Sequence, residues 1–103
     1  MLGVVFEVLA EPTRRRILDL LVEGDCTVSA LVDDLGMNQP AVSKHLRVLR
    51  DAGLVDVRVD AQRRIYRLCP EPLREVDEWL RPYRRAWVDR LDALEAHLDT
   101  MPD

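Results

Sequence analysis

A well-capped helix followed directly by a short ribbon of alternating apolar and charged residues constrains the fold of this chain more than any other feature. Asn38 is a favoured N-cap residue, and Pro40 lies in the first turn, where its missing N–H costs nothing. Gly53 can adopt the left-handed conformation that ends a helix. These signals predict a helix over about residues 38–52, with a change of chain direction at each end.

The predicted helix has an apolar face and a polar face. Val42, Leu46 and Leu49 recur at helical spacing on the first face, and His45 lies at its border. On the opposite arc, Gln and Ser can hydrogen-bond base edges, Arg can bind guanine or phosphate, and Lys suits phosphate. We therefore predict that this helix contacts DNA through Asn38, Gln39, Ser43, Lys44, Arg47 and Arg50. Any solvated helix shows a polar face, so this face alone does not indicate DNA binding. The residues that follow the helix supply the further evidence.

A β-hairpin pattern follows the helix over about residues 54–68. Val55, Val57 and Val59 alternate with charged residues, which is typical of a half-buried strand, and residues 60–62 form a turn. Arginines around the tip and flanks are predicted to reach phosphates or the minor groove; they are Arg58, Arg63, Arg64 and Arg67. Charges on an edge strand can instead serve only to prevent pairing with other molecules. The helix beside the hairpin favours DNA contact.

Charge is distributed unevenly along the sequence. The whole chain has 15 Lys and Arg against 19 Asp and Glu, a formal charge of −4. Residues 38–67 nevertheless hold seven basic and three acidic side chains, so this segment is positive and the remainder strongly negative. An acidic body with one basic edge repels DNA except in a single orientation. The pattern predicts a sequence-specific DNA-binding protein, with a winged-helix protein-interaction module as the alternative.

Three helical stretches precede this unit. Residues 4–9 are short and apolar, a second helix begins at Pro12, and a third runs over residues 28–35 behind a Thr27 cap. The inward face of the second helix is predicted to consist of Ile17, Leu18, Leu21 and Val22. At 103 residues we expect one domain, 1–103. Its predicted fold is mainly α with a small β-hairpin (α+β): a winged helix-turn-helix, with the helix-turn-helix at about 27–52.

Residues 71–101 predict a dimerisation helix. Apolar residues recur at intervals of three or four, as in the seam between two packed helices. Pro82 interrupts the pattern, which predicts a kink or a short break there. With the N-terminal helix, the expected dimer interface comprises Val5, Phe6, Leu9, Leu80, Tyr83, Trp87, Leu91, Leu94 and Leu98. The aromatic stripe along this helix could alternatively line a pocket for an apolar effector.

Three segments carry a resemblance to a known family: residues 9–18 (LAEPTRRRIL), 39–46 (QPAVSKHL) and 52–55 (AGLV). They resemble the ArsR family of bacterial winged-helix repressors, over roughly residues 6–68. The resemblance implies a homodimer that binds double-stranded DNA at an imperfect inverted repeat and releases it in response to a signal, such as a small-molecule effector. By position it also implies that His45 lies on the DNA-reading helix, although a packed, hydrogen-bonded His is an equal reading.

The chain departs from the metal-sensing members of that family. Metal-sensing members have either a Cys-x-Cys motif in the helix before the recognition helix or His and carboxylate ligands on the last helix. Here residues 29–35 contain neither Cys nor His, and the last helix offers only His97 among carboxylates. We therefore expect no metal and no cofactor. The chain instead resembles the subgroup with an Ala-Glu/Asp-Pro-Thr-Arg-Arg signature.

Two cysteines leave a second regulatory hypothesis open. Cys26 precedes the Thr27 cap and Cys69 follows the hairpin, so a thiol-based redox or persulfide switch would need them to approach each other. Small apolar packing is the ordinary role of reduced cysteines. The sequence shows no catalytic constellation and no phosphate-binding Gly loop, so we expect no enzyme. No apolar run approaches the ~20 residues of a membrane span, and we expect a cytoplasmic protein.

Overall fold

The computed structural model describes residues 2–101. Within them, helices and a small antiparallel sheet follow one another in the order α1 (Leu2–Leu9), α2 (Pro12–Glu23), β1 (Cys26–Thr27), α3 (Val28–Leu35), α4 (Gln39–Asp51), β2 (Val55–Asp60), β3 (Arg63–Leu68) and α5 (Glu71–Thr100). Helices α3 and α4 form the helix-turn-helix, and β2 and β3 form the wing.

Side-chain caps place the beginnings of α3 and α4. Thr27 Oγ1 accepts the Ala30 N–H at 3.1 Å, and Asn38 Oδ1 accepts the Ala41 N–H at 2.9 Å. Both caps satisfy backbone donors that a helix start leaves free, as the sequence predicted. Gly36 ends α3 in the left-handed conformation at φ 64°, which turns the chain sharply into α4.

The core lies where the helix-turn-helix meets α1, α2 and the sheet. Its most buried side chains are Val5, Ile17, Leu31, Val42, Leu46, Leu49 and Leu54. The predicted inner face of α4 is therefore confirmed. Val22 was wrongly assigned to the core of α2, because 63% of its side chain is exposed. Consecutive helical residues point about 100° apart, so Val22 turns outward where Leu21 turns inward.

The sheet has a third strand that the sequence did not predict. Its order is β1-β3-β2, with Cys26 opposite Tyr66 and Thr27 opposite Ile65. A strand of two residues carries no readable alternation, and it forms because β3 offers it a free edge. With a strand on each side, β3 is the central strand, and both Ile65 and Tyr66 are buried.

The tip of the wing extends past the helical body. A two-residue turn, Ala61 and Gln62, joins Asp60 to its partner Arg63, and Ala61 takes the positive φ of 57° that such turns require. The prediction of a half-buried strand is wrong at Val59, which is 69% exposed. Val55 and Val57 pack with the core, whereas Val59 lies beyond the residues that the core covers.

Helix α5 is continuous through Pro82, so of the two predicted alternatives, a kink or a short break, the break is wrong. One proline removes a single backbone donor, and a helix of 30 residues retains enough hydrogen bonds to continue past it. The first half of α5 packs on α1, where the rings of Phe6 and Trp79 meet edge to face at 5.2 Å. The second half projects from the body, which gives the molecule its 66 Å long axis.

Candidate nucleic-acid interface

A cleft separates α4 from the wing. Its volume is about 390 Å³, and it is lined by Val28, Gln39, Ser43, Arg47, Arg50, Arg64 and Tyr66. Five of these residues were predicted to contact DNA from the sequence alone. The fold therefore brings the polar arc of α4 and one wing arginine to the walls of a single concave surface.

The α4 wall presents hydrogen-bonding groups in a row. Gln39, Ser43 and Arg47 are four residues apart and share a helix face, with Arg50 one turn further. Gln39 Nε2 donates to Ser43 Oγ at 2.9 Å, which orients the amide without using its carbonyl oxygen. Lys44 is exposed on the shoulder of α4 and does not line the cleft.

The wing divides its arginines between two faces. Paired residues in an antiparallel ribbon share a face, so Arg64 lies with its partner Val59 and with Tyr66 on the side of the cleft. By register, Arg58, Arg63 and Arg67 alternate with Arg64 along the ribbon. Arg63 adjoins the turn, however, and lines a second concave surface together with Arg64 and Gln39.

Two wing arginines are partly neutralised by aspartates. Arg67 Nη2 lies 3.4 Å from Asp56 Oδ2, and Arg63 Nη2 lies 3.3 Å from Asp60 Oδ2. The pKa of Asp56 is lowered by the Val57 N–H, donated at 2.8 Å, and then by Arg67. These pairs are exposed and contribute little stability, but they reduce the positive charge that the outer face offers.

His45 lies on the inner shoulder of α4 rather than in the cleft. Its side chain is only 18% exposed, and Nδ1 stands 3.7 Å from Glu11 Oε2. That nitrogen is buried and has no hydrogen-bond partner among the described residues. Partial burial raises the pKa of Glu11, but the N–H groups of Thr13 and Arg14 outweigh it and leave the pKa lowered. His45 is therefore packed, as one of the two predictions had it, but its Nδ1 lacks the hydrogen bond that this prediction included.

Val28 and Tyr66 line the cleft without having been predicted as site residues. Tyr66 appeared in the sequence only as a β-forming residue of the returning strand. Its role follows from the central position of β3, which turns one face of the strand toward α4. Val28 enters because β1 leads directly into α3 beside the wing. Neither position carries a local signal that could have identified it.

The register of the sheet separates the two cysteines along the chain. Cys26 is opposite Tyr66, and Cys69 follows the last residue of β3, three residues beyond Tyr66. Ideal strand spacings, about 3.3 Å per residue along a strand and 4.8 Å between strands, correspond to a Cα separation of roughly 11 Å for such positions. A disulfide needs less than about 7 Å. Burial, followed by Asp34 and Asp25, raises the pKa of the Cys26 thiol, which reduces its reactive thiolate.

Other kinds of site find no support in the described part of the chain. Across residues 2–101, no three His, Cys, Asp or Glu side chains are grouped as a metal ion would require. In the same range, no helix combines the length and the apolar character needed to cross a membrane.

A helix-turn-helix followed by a β-ribbon that faces its second helix defines a winged helix-turn-helix domain. The sequence model described as "Bacterial regulatory protein, arsR family" matches residues 11–57. The chain belongs to the ArsR family of DNA-binding transcriptional regulators.

Two relatives illustrate the similarity. The HTH-type transcriptional regulator Rv2034 of Mycobacterium tuberculosis is 44% identical over 66% of this chain and 64% of its own length. The chain thus spans somewhat less than two thirds of that protein. The transcriptional repressor SdpR of Bacillus subtilis is 33% identical over 74% of this chain and 84% of its own length.

Solved structures agree with the fold. The crystal structure of an ArsR family transcriptional regulator superposes with a TM-score of 0.74 at 34% identity, covering 84% of this chain and 89% of the other. The homodimeric winged helix-turn-helix DNA-binding domain Mb0332 of Mycobacterium bovis gives a TM-score of 0.66 at 30% identity, covering 85% and 82%.

Proposed function

We propose that this protein is a homodimeric transcriptional repressor that binds an inverted-repeat operator. The observation that carries the proposal is the cleft whose two walls are the polar arc of α4 and the Arg64 side of the wing. The repressor name of the Bacillus subtilis relative and the homodimeric state of the Mycobacterium bovis domain support it. The proposed location of the protein is the cytoplasm. The proposal includes no cofactor and no catalytic activity.

In the proposed complex, α4 enters the major groove. Gln39 and Ser43 face base edges with amide and hydroxyl groups, and Arg47 presents a guanidinium that can make two hydrogen bonds to guanine. Arg50, at the far end of the helix, and Lys44, on its shoulder, suit phosphates on either side of the groove. Asn38 caps the helix and lies at the end nearest the DNA.

The wing contacts the sugar-phosphate backbone and the adjoining minor groove. Arg64 projects into the cleft, and Arg58 lies on the opposite face near the tip. Neither forms an ion pair within residues 2–101, so both guanidinium groups are available for phosphates. Arg63 and Arg67 can join them by exchanging a carboxylate for a phosphate.

Dimerisation uses the projecting part of α5 together with α1. The exposed apolar side chains there are Val4, Phe6, Trp79, Tyr83, Trp87, Val88, Leu91, Leu94, Leu98 and Met101. So large a patch on one chain indicates a protein interface. Val5 was included in the predicted interface, but it is 1% exposed and belongs to the core of its own subunit. Leu80 and Leu9 are half-buried and lie at the edge of the patch.

Charge along α5 complements a second copy. Residues 81–90 contain four arginines and one aspartate, whereas residues 91–100 contain Asp92, Glu95 and Asp99 and no Lys or Arg. Two antiparallel α5 helices would place the basic segment of one against the acidic segment of the other. A two-fold dimer of this kind presents two identical α4 helices, which is why the operator should be an inverted repeat with half-sites about one helical turn apart.

For the signal that releases the DNA, the proposal includes a small-molecule effector. A groove of about 380 Å³ between α1, α2 and α4 has room for one. It is lined by four apolar residues, Val4, Val8, Val48 and Ala52, and by three charged ones, Glu7, Arg14 and Asp51. The groove links α1 of the proposed interface directly to the DNA-reading helix. A thiol switch is the weaker alternative, given the distance between the cysteines and the raised pKa of Cys26.

Duplex binding measured against salt concentration tests the proposal. Neutralising phosphates releases counterions, so the logarithm of affinity should fall with the logarithm of salt by about 0.9 for each phosphate contacted. Selection from random duplexes by the reduced protein should enrich an inverted repeat. Affinity that ignores salt, together with no enrichment by a folded dimer, would favour the protein-interaction module instead.

Asp60→Asn should strengthen DNA binding. The substitution keeps a turn-forming residue of the same shape, removes one negative charge and releases Arg63 from its 3.3 Å ion pair. We expect roughly two- to fivefold tighter binding at low salt and a steeper salt dependence. Fluorescence anisotropy with a labelled duplex measures both. Asp19→Asn, which removes an exposed charge from α2, is the matched control, and an equal gain in both variants would contradict a specific role for Arg63.

A further inference from the structure

Val59 is an exposed apolar residue that the proposed dimer does not explain. The exposed large hydrophobic side chains of residues 2–101 lie on α1, on α5 or, for Met101, directly after α5, with two exceptions, Val22 and Val59. These two are exposed to similar extents, 63% and 69%. Val22 lies on α2 next to Glu23, on an acidic surface. Val59 lies in the most basic part of the molecule.

The register of the wing puts Val59 at the rim of the cleft. Val59 is paired with Arg64, and cross-strand partners have Cβ atoms about 5 Å apart on the same face. Arg64 lines the cleft together with Arg47 and Arg50. Val59 therefore stands beside a guanidinium that points where the proposed DNA lies, one residue from the turn at the tip.

Strand propensity alone does not account for a valine at this position. Near the tip of a solvated ribbon, threonine provides the same branching at Cβ and the same shape with a hydroxyl that water can bind. An exposed aliphatic group gains no stabilisation from contact with water. It stabilises a complex when a partner surface has apolar area between its charged groups and buries the aliphatic group there. The minor groove has that character, because deoxyribose edges form its walls and phosphates form its rims.

We propose that Val59 is a DNA-contacting residue that packs against the deoxyribose wall of the minor groove while Arg64 binds the adjoining phosphate. The inference rests on the proposed function, since it requires the wing to lie on DNA. Val59 would contribute affinity through burial of apolar area, which does not depend on salt, whereas Arg64 contributes through charge. Substitution of Val59 should therefore lower DNA affinity equally at all salt concentrations, whereas substitution of Arg64 should also change the salt dependence.

The test compares Val59→Thr with Val22→Thr on one duplex of about three helical turns, recovered by selection from a random library. Both substitutions keep the shape of an exposed side chain, so both variants should fold. We expect Val59→Thr to weaken binding by roughly three- to tenfold with an unchanged salt slope. Arg64→Gln should reduce that slope by about one. Val22→Thr should bind as the wild type does.

Hydroxyl-radical footprinting locates the contact, because the radical attacks sugars from the minor groove. Val59→Thr should lose protection at a few sugars on the outer flank of each half-site and nowhere else. Unchanged affinity and protection in Val59→Thr, with a wild type that binds in a salt-dependent way, would overturn this inference alone. A wild type that shows no salt-dependent binding to the duplex would overturn the proposed function and this inference with it.

Discussion

Replacing Leu91 and Leu94 with glutamate should produce monomers that no longer hold an operator with two half-sites. Both side chains are more than half exposed in the single chain, and in the proposed dimer a second copy buries them. Burying a leucine is worth about 1.5–3 kcal/mol, and a symmetric dimer buries each position twice. The added carboxylates would also lie beside the acidic end of α5. We expect the dimer dissociation constant to rise on the order of a thousandfold or more. Light scattering measures the mass, and duplex binding measures the consequence.

The chain offers a matched control for that substitution. Ala93 and Ala96 have the same spacing, lie on the same exposed half of α5 and point to the opposite face at 100° per residue. The Ala93→Glu, Ala96→Glu variant adds the same charge to the same helix, and it should remain a dimer. A dimer of unchanged mass in the leucine variant would contradict the assignment of this face. Loss of the dimer in both variants would show that charge, rather than apolar burial, controls association.

Arg47→Ala should abolish much of the sequence preference while leaving general DNA binding in place. Arg47 lines the cleft from the middle of α4, and in the proposed complex it reaches base edges from there. A bidentate contact to guanine discriminates against other bases by about 1–3 kcal/mol, so specificity should fall by roughly ten- to a hundredfold. Arg64→Ala should instead weaken binding to all duplexes alike, because phosphates carry no sequence information. Competition between the selected duplex and a scrambled one separates the two effects.

Arg16→Ala serves as the control for both arginine variants. Arg16 is exposed on α2 among Asp19 and Asp34, remote from the cleft. Its loss should leave both affinity and preference unchanged. If Arg47→Ala and Arg64→Ala reduced binding to selected and scrambled duplexes by the same factor, α4 would not be reading bases. The division of roles between helix and wing would then be wrong.

The helical part of the fold could be predicted from local signals. Thr27 and Asn38 cap α3 and α4 because their side-chain oxygens lie one turn from a free backbone donor. Each cap therefore depends only on residues close together in the sequence. Val42, Leu46 and Leu49 are buried because a period of 3.6 residues places them on one face. The polar arc of α4 follows from the same period, so the shared face of Gln39, Ser43 and Arg47 could be identified from residue spacing alone.

The errors lie where a residue's environment depends on a distant segment. Strand β1 exists because β3 has a free edge, and nothing in Cys26 and Thr27 themselves indicates it. Val59 follows the alternation of a half-buried strand, yet it lies beyond the residues that the core covers. Val5 and Phe6 are adjacent in an apolar run, but one belongs to the core and the other meets Trp79. At Pro82 the short break, one of the two predicted alternatives, does not occur in the 30-residue helix.

Residue spacing is sufficient to predict the capped helix-turn-helix, the hairpin after it, the concentration of basic residues between 38 and 67, and the apolar seam of the last helix. All of these arise from contacts within a few residues, where spacing alone decides which side chains share a face. Which arginine faces α4 depends instead on the pairing of β2 with β3 and on the packing of the sheet against α4. The tertiary structure likewise turns His45 toward Glu11 and leaves Val59 exposed beside Arg64. Burial depends on which distant residues pack against a side chain, and spacing along the chain does not give that.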